Sequence, residues 1–149
     1  MSKAAHLNIL PEEVVRQKIF HLRNQKVMLD KDLAALYGVE TRVLNQAVRR
    51  NSQRFPKDFM FTLTRNEVGR ISQIVTSLKF SKKVTAFSEQ GIAMLSSVLN
   101  SERAIQVNIV IMRTFVSLKK ALTSQTAVLQ KLAQLEQKID IHDKSIEQI

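Results

Sequence analysis

The chain has 149 residues, enough for one core-forming domain with an extension, and 44% of them are hydrophobic. It has no cysteine, which excludes disulfides and thiolate metal sites, and no apolar run approaches the roughly 20 residues of a membrane-spanning helix. The formal net charge is +10, and because residues 123–149 hold three lysines against four acidic residues, the basic excess lies in residues 1–122. It predicts either an anionic partner for that part of the chain or a generally basic surface that serves solubility.

Helical and β-type segments are mixed along the chain, which predicts an α+β fold with short strands and a long C-terminal helix. The predicted elements in chain order are a flexible lead-in at 1–12, β-runs at 18–22 and 26–29 around a turn at Arg23-Asn24-Gln25, helices at 30–37 and 41–51, a strand at 59–63, a helix at 65–78, a basic loop at 79–83, a strand at 84–87 paired with 59–63, a helix at 89–99 and a long helix after Asn100-Ser101. These elements divide into the lead-in, a domain at 13–110 and a helical segment at 111–149.

Helix starts carry recognisable capping residues. Asp30, Thr41 and Ser88 are each predicted to cap the helix that follows with a side-chain oxygen. Thr64 and Glu67 have the spacing of a capping box, in which each side chain satisfies the other's free amide.

The segment MLDKDLAALYGVETRVLNQAVRRN, residues 28–51, meets the demands of a helix-turn-helix. Ala34 stands where the second helix would cross the first, and Gly38 stands in the turn, where one residue takes a positive φ. The residues predicted to form the buried seam are Leu33, Tyr37, Val39, Leu44, Ala47 and Val48.

The second helix of this unit then presents hydrogen-bonding and cationic side chains outward. In the major groove, amide side chains pair with adenine and arginine pairs with guanine. We assign base reading to Thr41, Arg42, Asn45, Gln46 and Arg49, and phosphate contact to Arg50, with phosphate contact also open to Arg49. The competing interpretation is an ordinary helical hairpin with a solvated polar face.

Further basic residues extend this surface. Lys79, Lys82 and Lys83 lie in the basic loop and are predicted to run along the DNA backbone as a wing does, or else to form a charged surface loop. Arg54 and Lys57 are predicted to continue the phosphate track. Four aromatic residues raise the alternative that the domain stacks on RNA bases. Their alternation with other residues favours packing in the core instead. They are Phe59, Phe61, Phe80 and Phe87.

Three motifs together resemble a known family. MLDKDLAALYGVETRVLNQAVRRN, RFPKDFMFTLT and AFSEQGIAMLSSVLNSERAIQVNIVIMRTFVSLKK occur in this order, over roughly residues 14–122. They are similar to the phage and prophage ORF-six N-terminal DNA-binding domain, a relative of the KilA-N domain. The resemblance implies a small α+β DNA-binding domain of phage-derived regulators, often followed by a helical tail.

The C-terminal helix carries a heptad repeat from residue 111 onward, which predicts a coiled coil joining a parallel homodimer or a higher homo-oligomer. Lys131 with Glu136, and Lys138 with Asp143, would pair between parallel chains. The oligomerisation residues are Leu118, Val128, Leu132, Leu135, Ile139 and Ile146. One alternative is a single amphipathic helix that folds back on its domain, and the repeat also fits a piece of a longer protein.

Signatures of an enzyme are missing from the sequence. The three glycines form no phosphate-binding loop, and the three histidines are too scattered for a metal triad. We therefore expect no catalysis, metal or cofactor. The expected function is that of a cytoplasmic, nucleoid-associated protein that binds double-stranded DNA with sequence preference as a transcriptional regulator or antirepressor. The alternative is an adaptor whose basic domain binds an acidic protein and whose tail assembles complexes.

Overall fold

The computed structural model describes residues 10–72 and 83–147. The chain forms two compact units, one through Thr114 and one from Phe115 onward. The first unit is α+β, as the sequence predicts, and the second belongs to the long C-terminal helix. Lys79, Lys82 and Phe80 lie outside the described residues, as do the side chains of Ile139 and Ile146.

An antiparallel four-stranded sheet in the order β1-β2-β4-β3 organises the first unit. The strands are β1 Ile19–Leu22, β2 Gln25–Leu29, β3 Met60–Thr62 and β4 Thr85–Ser88. The described helices are α1 Glu12–Arg16, α2 Asp30–Tyr37, α3 Thr41–Arg50, α4 Arg65–Ser72, α5 Glu89–Leu99 and α6 Glu102–Glu147, with a 3-10 turn at Ser52–Arg54.

The hairpin between β1 and β2 turns on two residues. Arg23 and Asn24 have φ angles of 51° and 63°, the left-handed pair that a type I′ turn requires. Leu22 pairs with Gln25 across the turn. Gln25 therefore belongs to β2, and its predicted place in the turn was wrong, because two left-handed residues suffice to reverse the chain.

The core lies under the central strands. All four residues of β4 are buried, and the predicted pairing of β3 with β4 is confirmed, with Phe61 opposite Ala86. Phe61 and Phe87 are buried, as core packing predicts, and the ring of Phe55 meets that of Phe87 edge to face at 6.0 Å. The main buried cluster consists of Leu22, Val27, Leu29, Phe61, Leu63, Ile71, Val84 and Ala86.

Arg23 ties the hairpin to the start of α4. Its Nε and Nη2 donate to the two carboxylate oxygens of Glu67 at 3.0 Å each, and its guanidinium lies 3.9 Å from the ring centre of Phe61. Glu67 also accepts the Thr64 amide at 2.8 Å while donating its own amide to the Thr64 hydroxyl at 3.2 Å, so the predicted capping box is confirmed. The hydrogen bond from Arg23 and the Thr64 amide lower the pKa of Glu67 from 4.5 to about 2.

We expect this carboxylate to make folding acid-sensitive. Because the pKa is lower in the folded state, the ionised form stabilises the fold above pH 4.5, and this contribution is lost as the pH falls from 4.5 towards 2. Denaturant unfolding of wild type and Glu67→Gln should therefore differ most near neutral pH and converge near pH 2. The control is Glu40→Gln, because the wild-type Glu40 carboxylate is exposed and lies 3.5 Å from an exposed arginine. A comparable pH-dependent loss of stability in this control would refute the assignment to Glu67.

Buried hydrogen bonds hold α2 against the helices behind it. The Tyr37 hydroxyl donates to Asn108 Oδ1, and Asn108 Nδ2 donates to the carbonyl of Ile92 at 2.6 Å. Burial raises the pKa of Tyr37, so the phenol remains a donor. Arg103 Nε donates to the Leu36 carbonyl at 3.1 Å, near the C-terminal end of α2. The position of α2 is thus fixed by side chains of α6.

The long C-terminal helix is confirmed as a helix, α6, through Glu147. Ile111 and Thr114, the first heptad positions, are buried within the first unit. In the second unit every side chain from 121 to 136 is exposed, including Val128, Leu132 and Leu135. None of the described helices has both the length and the apolar character needed to span a membrane.

Candidate nucleic-acid interface

The helices α2 and α3 pack against each other, with only residues 38–40 between them. Gly38 ends α2 as predicted, with a φ of 74° that favours glycine. The amides of Gly38 and Val39 donate to the carbonyls of Ala35 and Ala34 at 3.2 and 3.0 Å, so the turn closes on the last carbonyls of α2. The connection is therefore short and held by its own backbone.

The predicted caps of these two helices were wrong. Asp30 and Thr41 are the first residues of α2 and α3, and the cap positions belong to Leu29 and Glu40, neither of which gives a side-chain cap. The reason at Asp30 is a different use of its carboxylate, which accepts the Lys31 amide through Oδ1 at 2.8 Å and reaches α3 through Oδ2.

The seam between the helices largely follows the sequence prediction. Ala34 is 1% exposed, as close crossing requires, and Leu33 and Tyr37 of α2 are buried with it. On α3, Leu44 and Val48 are buried. Val39 and Ala47 are half-buried, because they lie at the edges of the seam. Helix α3 also packs on α5, so it is supported from two elements.

The side of α3 opposite Leu44 and Val48 forms a face of exposed side chains, here called the α3 face. No described residue pairs with the side chains of Gln46, Arg49 or Arg50, and Arg42 makes one long contact of 3.5 Å with Glu40. The α3 face consists of Arg42, Val43, Gln46, Arg49 and Arg50.

Three predicted positions on α3 need correction. Thr41 and Asn45 are half-buried, and so are not outward as predicted, because they lie on the flank of α3 nearer to the buried seam. Val43 is 41% exposed and was missed, since an apolar side chain suggested no contact with a ligand. The signal that could have found it is the helical period, which places residue 43 one turn before Gln46.

Asn45 links α3 to the start of α2. Its Nδ2 donates to Asp30 Oδ2 at 2.9 Å, and Asp30 is 3% exposed. A buried carboxylate requires donors, and here one comes from the Lys31 amide and one from Asn45. Any contact of the Asn45 amide with a base would share the group with Asp30.

The predicted phosphate contacts have different surroundings. Arg50, Lys57 and Lys83 are exposed, and Lys83 stands just before β4. Arg54, in the 3-10 turn that follows α3, is exposed and has Nη1 3.4 Å from the hydroxyl of Ser97 on α5. Arg23, at the tip of the β1–β2 hairpin, is also a cation of this domain, but its guanidinium is already paired with Glu67.

A comparison with protein-family models matches residues 17–98 to the ORF6N domain, more than half of the chain and within the 14–122 of the motif resemblance. Searches of curated proteins and of solved structures found no significant match. The matched region contains the sheet, helices α2 to α4 and all but the last residue of α5, and the ORF6N domain is associated with phages. The chain therefore belongs to the ORF6N family.

Proposed function

We propose that this protein binds double-stranded DNA with sequence preference, without catalysing a reaction, as a phage-derived transcriptional regulator or antirepressor at the nucleoid. The observation that carries the proposal is the α3 face, where an amide and three guanidinium groups are exposed on a helix that α2 and α5 support from behind. A helix with such a face suits the recognition helix of a helix-turn-helix, with α2 as its first helix. The basic charge of residues 1–122 supports the same partner.

Each group has a chemical role in this proposal. Gln46 presents a donor and an acceptor to adenine, while Arg42 and Arg49 present paired donors to guanine. Asn45, held by Asp30, sets the position of α3, and Thr41 lies beside it near the start of the helix. The cations assigned to phosphates are Arg50, Arg54, Lys57, Lys79, Lys82 and Lys83.

Gel-shift titration tests this division of roles. Gln46→Ala should cost about 1–3 kcal/mol on a site selected from a random pool, and little on random duplex, because it removes a base contact. Arg50→Ala should weaken binding to the selected site and to random duplex alike, because it removes a phosphate contact. The slope of log affinity against log salt concentration should fall by about 1. Gln17→Ala, at an exposed glutamine outside α3, is the control.

Two results would contradict the proposal. Equal losses for Gln46→Ala on selected and random DNA would remove Gln46 from base reading. The absence of any salt-sensitive shift at micromolar wild-type protein would favour an adaptor that binds an acidic protein.

We further propose that the second unit joins copies of the chain as a parallel coiled coil. Leu132 is 50% exposed and Leu135 48% exposed, and they continue the seam of Leu118 and Val128 towards Ile139 and Ile146. Two joined domains would read a two-part site, which multiplies specificity without a new contact.

A charge placed in the seam should separate the copies. In Leu132→Glu, the mass measured by sedimentation is expected to fall from that of a dimer to that of a monomer. Binding to a two-part DNA site should weaken by about 10²-fold or more, while each single domain still binds DNA. Gln134→Glu adds the same charge outside the heptad core and should leave the mass unchanged. If the sedimentation mass of Leu132→Glu equals that of the wild type, these heptad positions do not form the interface between copies.

A further inference from the structure

Val43 is the one apolar member of the α3 face. It is 41% exposed, on the side of α3 away from the buried Leu44 and Val48. Gln46 and Arg50 follow it at three and seven residues, which places the three side chains in one row along the helix surface. The apolar side chain is therefore surrounded by groups that would bring it close to DNA.

The fold gives no reason for a valine at this position. A β-branched residue forms helix less readily than alanine, and Val43 is not among the buried core residues whose packing would offset that cost. Single exposed apolar residues are common on protein surfaces. This one, however, lies among an amide and several guanidinium groups that suit base edges and phosphates. A ligand that matches this whole set of side chains offers an apolar group beside polar ones.

The major groove of DNA contains one such apolar group, the 5-methyl group of thymine. We propose that Val43 contacts a thymine methyl and so makes the preferred site depend on a thymine. This inference rests on the proposed function and adds a specificity-determining residue to it. Side chains three residues apart on a helix are separated by about 5–6 Å at Cβ, and successive base pairs by about 3.4 Å. Val43 and Gln46 thus read the same base pair or neighbouring pairs, with adenine for Gln46 and thymine for Val43.

The test removes the methyl group and nothing else. The full chain first selects its preferred site from a random duplex pool. Each thymine of that site is then replaced singly by deoxyuridine, on either strand. Wild-type affinity should fall about fourfold at one thymine per half-site, the factor expected for one methyl-sized apolar contact.

The variant Val43→Ala should lose this dependence and bind thymine and deoxyuridine sites equally. Val14→Ala is the matched control, since Val14 is 38% exposed on α1, and it should keep the fourfold effect. If the selected site shows no deoxyuridine effect, or if Val43→Ala keeps it, this inference fails while the proposed function stands. If wild type selects no preferred site, both fail.

Discussion

Replacing Gly91 with alanine is expected to lower the free energy of unfolding by about 3 kcal/mol, because the new Cβ has no room. Built on the backbone of α5, it would lie 2.1 Å from the carbonyl oxygen of Phe59 and 3.0 Å from its carbon. That oxygen accepts the Ser88 amide at 3.0 Å and lies 3.3 Å from the Ser88 hydroxyl, so it cannot turn aside without further losses. Relief requires α5 to move away from the chain ahead of β3.

Denaturant unfolding at neutral pH checks this expectation, with Gly69→Ala as the matched control. Gly69 lies in α4 and has nothing within 4 Å of a built Cβ, so alanine there should stabilise the protein by about 0.5–1 kcal/mol through helix propensity. The two substitutions add the same atom and should act with opposite signs. A Gly91→Ala protein within about 0.5 kcal/mol of wild type would show that α5 tolerates the displacement.

The parts of the fold that the sequence predicted depend on residues close together in the chain. The capping box of Thr64 and Glu67, the cap at Ser88 and the helix end at Gly38 each work within about one turn, so local residue types suffice to predict them. The pairing of β3 with β4 was predicted from two β-rich runs alone.

The parts that the sequence did not predict depend on contacts between distant residues. The partner of Arg23 is 44 residues away, and the residue that requires glycine at 91 is Phe59. Asp30 has the residue type of a cap, yet its carboxylate serves a contact with Asn45, 15 residues further on. Local preference gives way where a tertiary contact uses the same group.

The candidate site shows the same division. Polarity identified Arg42, Gln46, Arg49 and Arg50 as outward, and all four are exposed. Polarity failed at Asn45, because an amide can be satisfied inside the protein as well as by a ligand. Burial on a helix follows the position of the residues that pack, which here are Leu44 and Val48.

The variant Asn45→Asp is expected to lower the free energy of unfolding by about 3 kcal/mol and to weaken DNA binding with it. In the wild type, the amide nitrogen of Asn45 lies 2.9 Å from Asp30 Oδ2 and donates to it. The variant replaces this amide with a second carboxylate at about the same place. The two groups repel each other, and the 3% exposed Asp30 loses one of its donors. Because the contact joins the start of α2 to the middle of α3, its loss should shift the α3 face.

The exchange Asp30→Asn with Asn45→Asp separates positioning from base reading. It keeps the net charge and both hydrogen bonds, since the amide introduced on α2 can accept the Lys31 backbone amide and donate to the carboxylate introduced on α3. Stability should therefore return to near the wild-type value. If Asn45 only positions α3, affinity for the selected site returns together with stability, which is the result we expect. A stable exchange variant that binds random duplex as wild type does, but has lost its preferred site, would instead assign the Asn45 amide to a base. Denaturant unfolding and gel-shift titration of the same four proteins, wild type, both single variants and the exchange, decide between these roles.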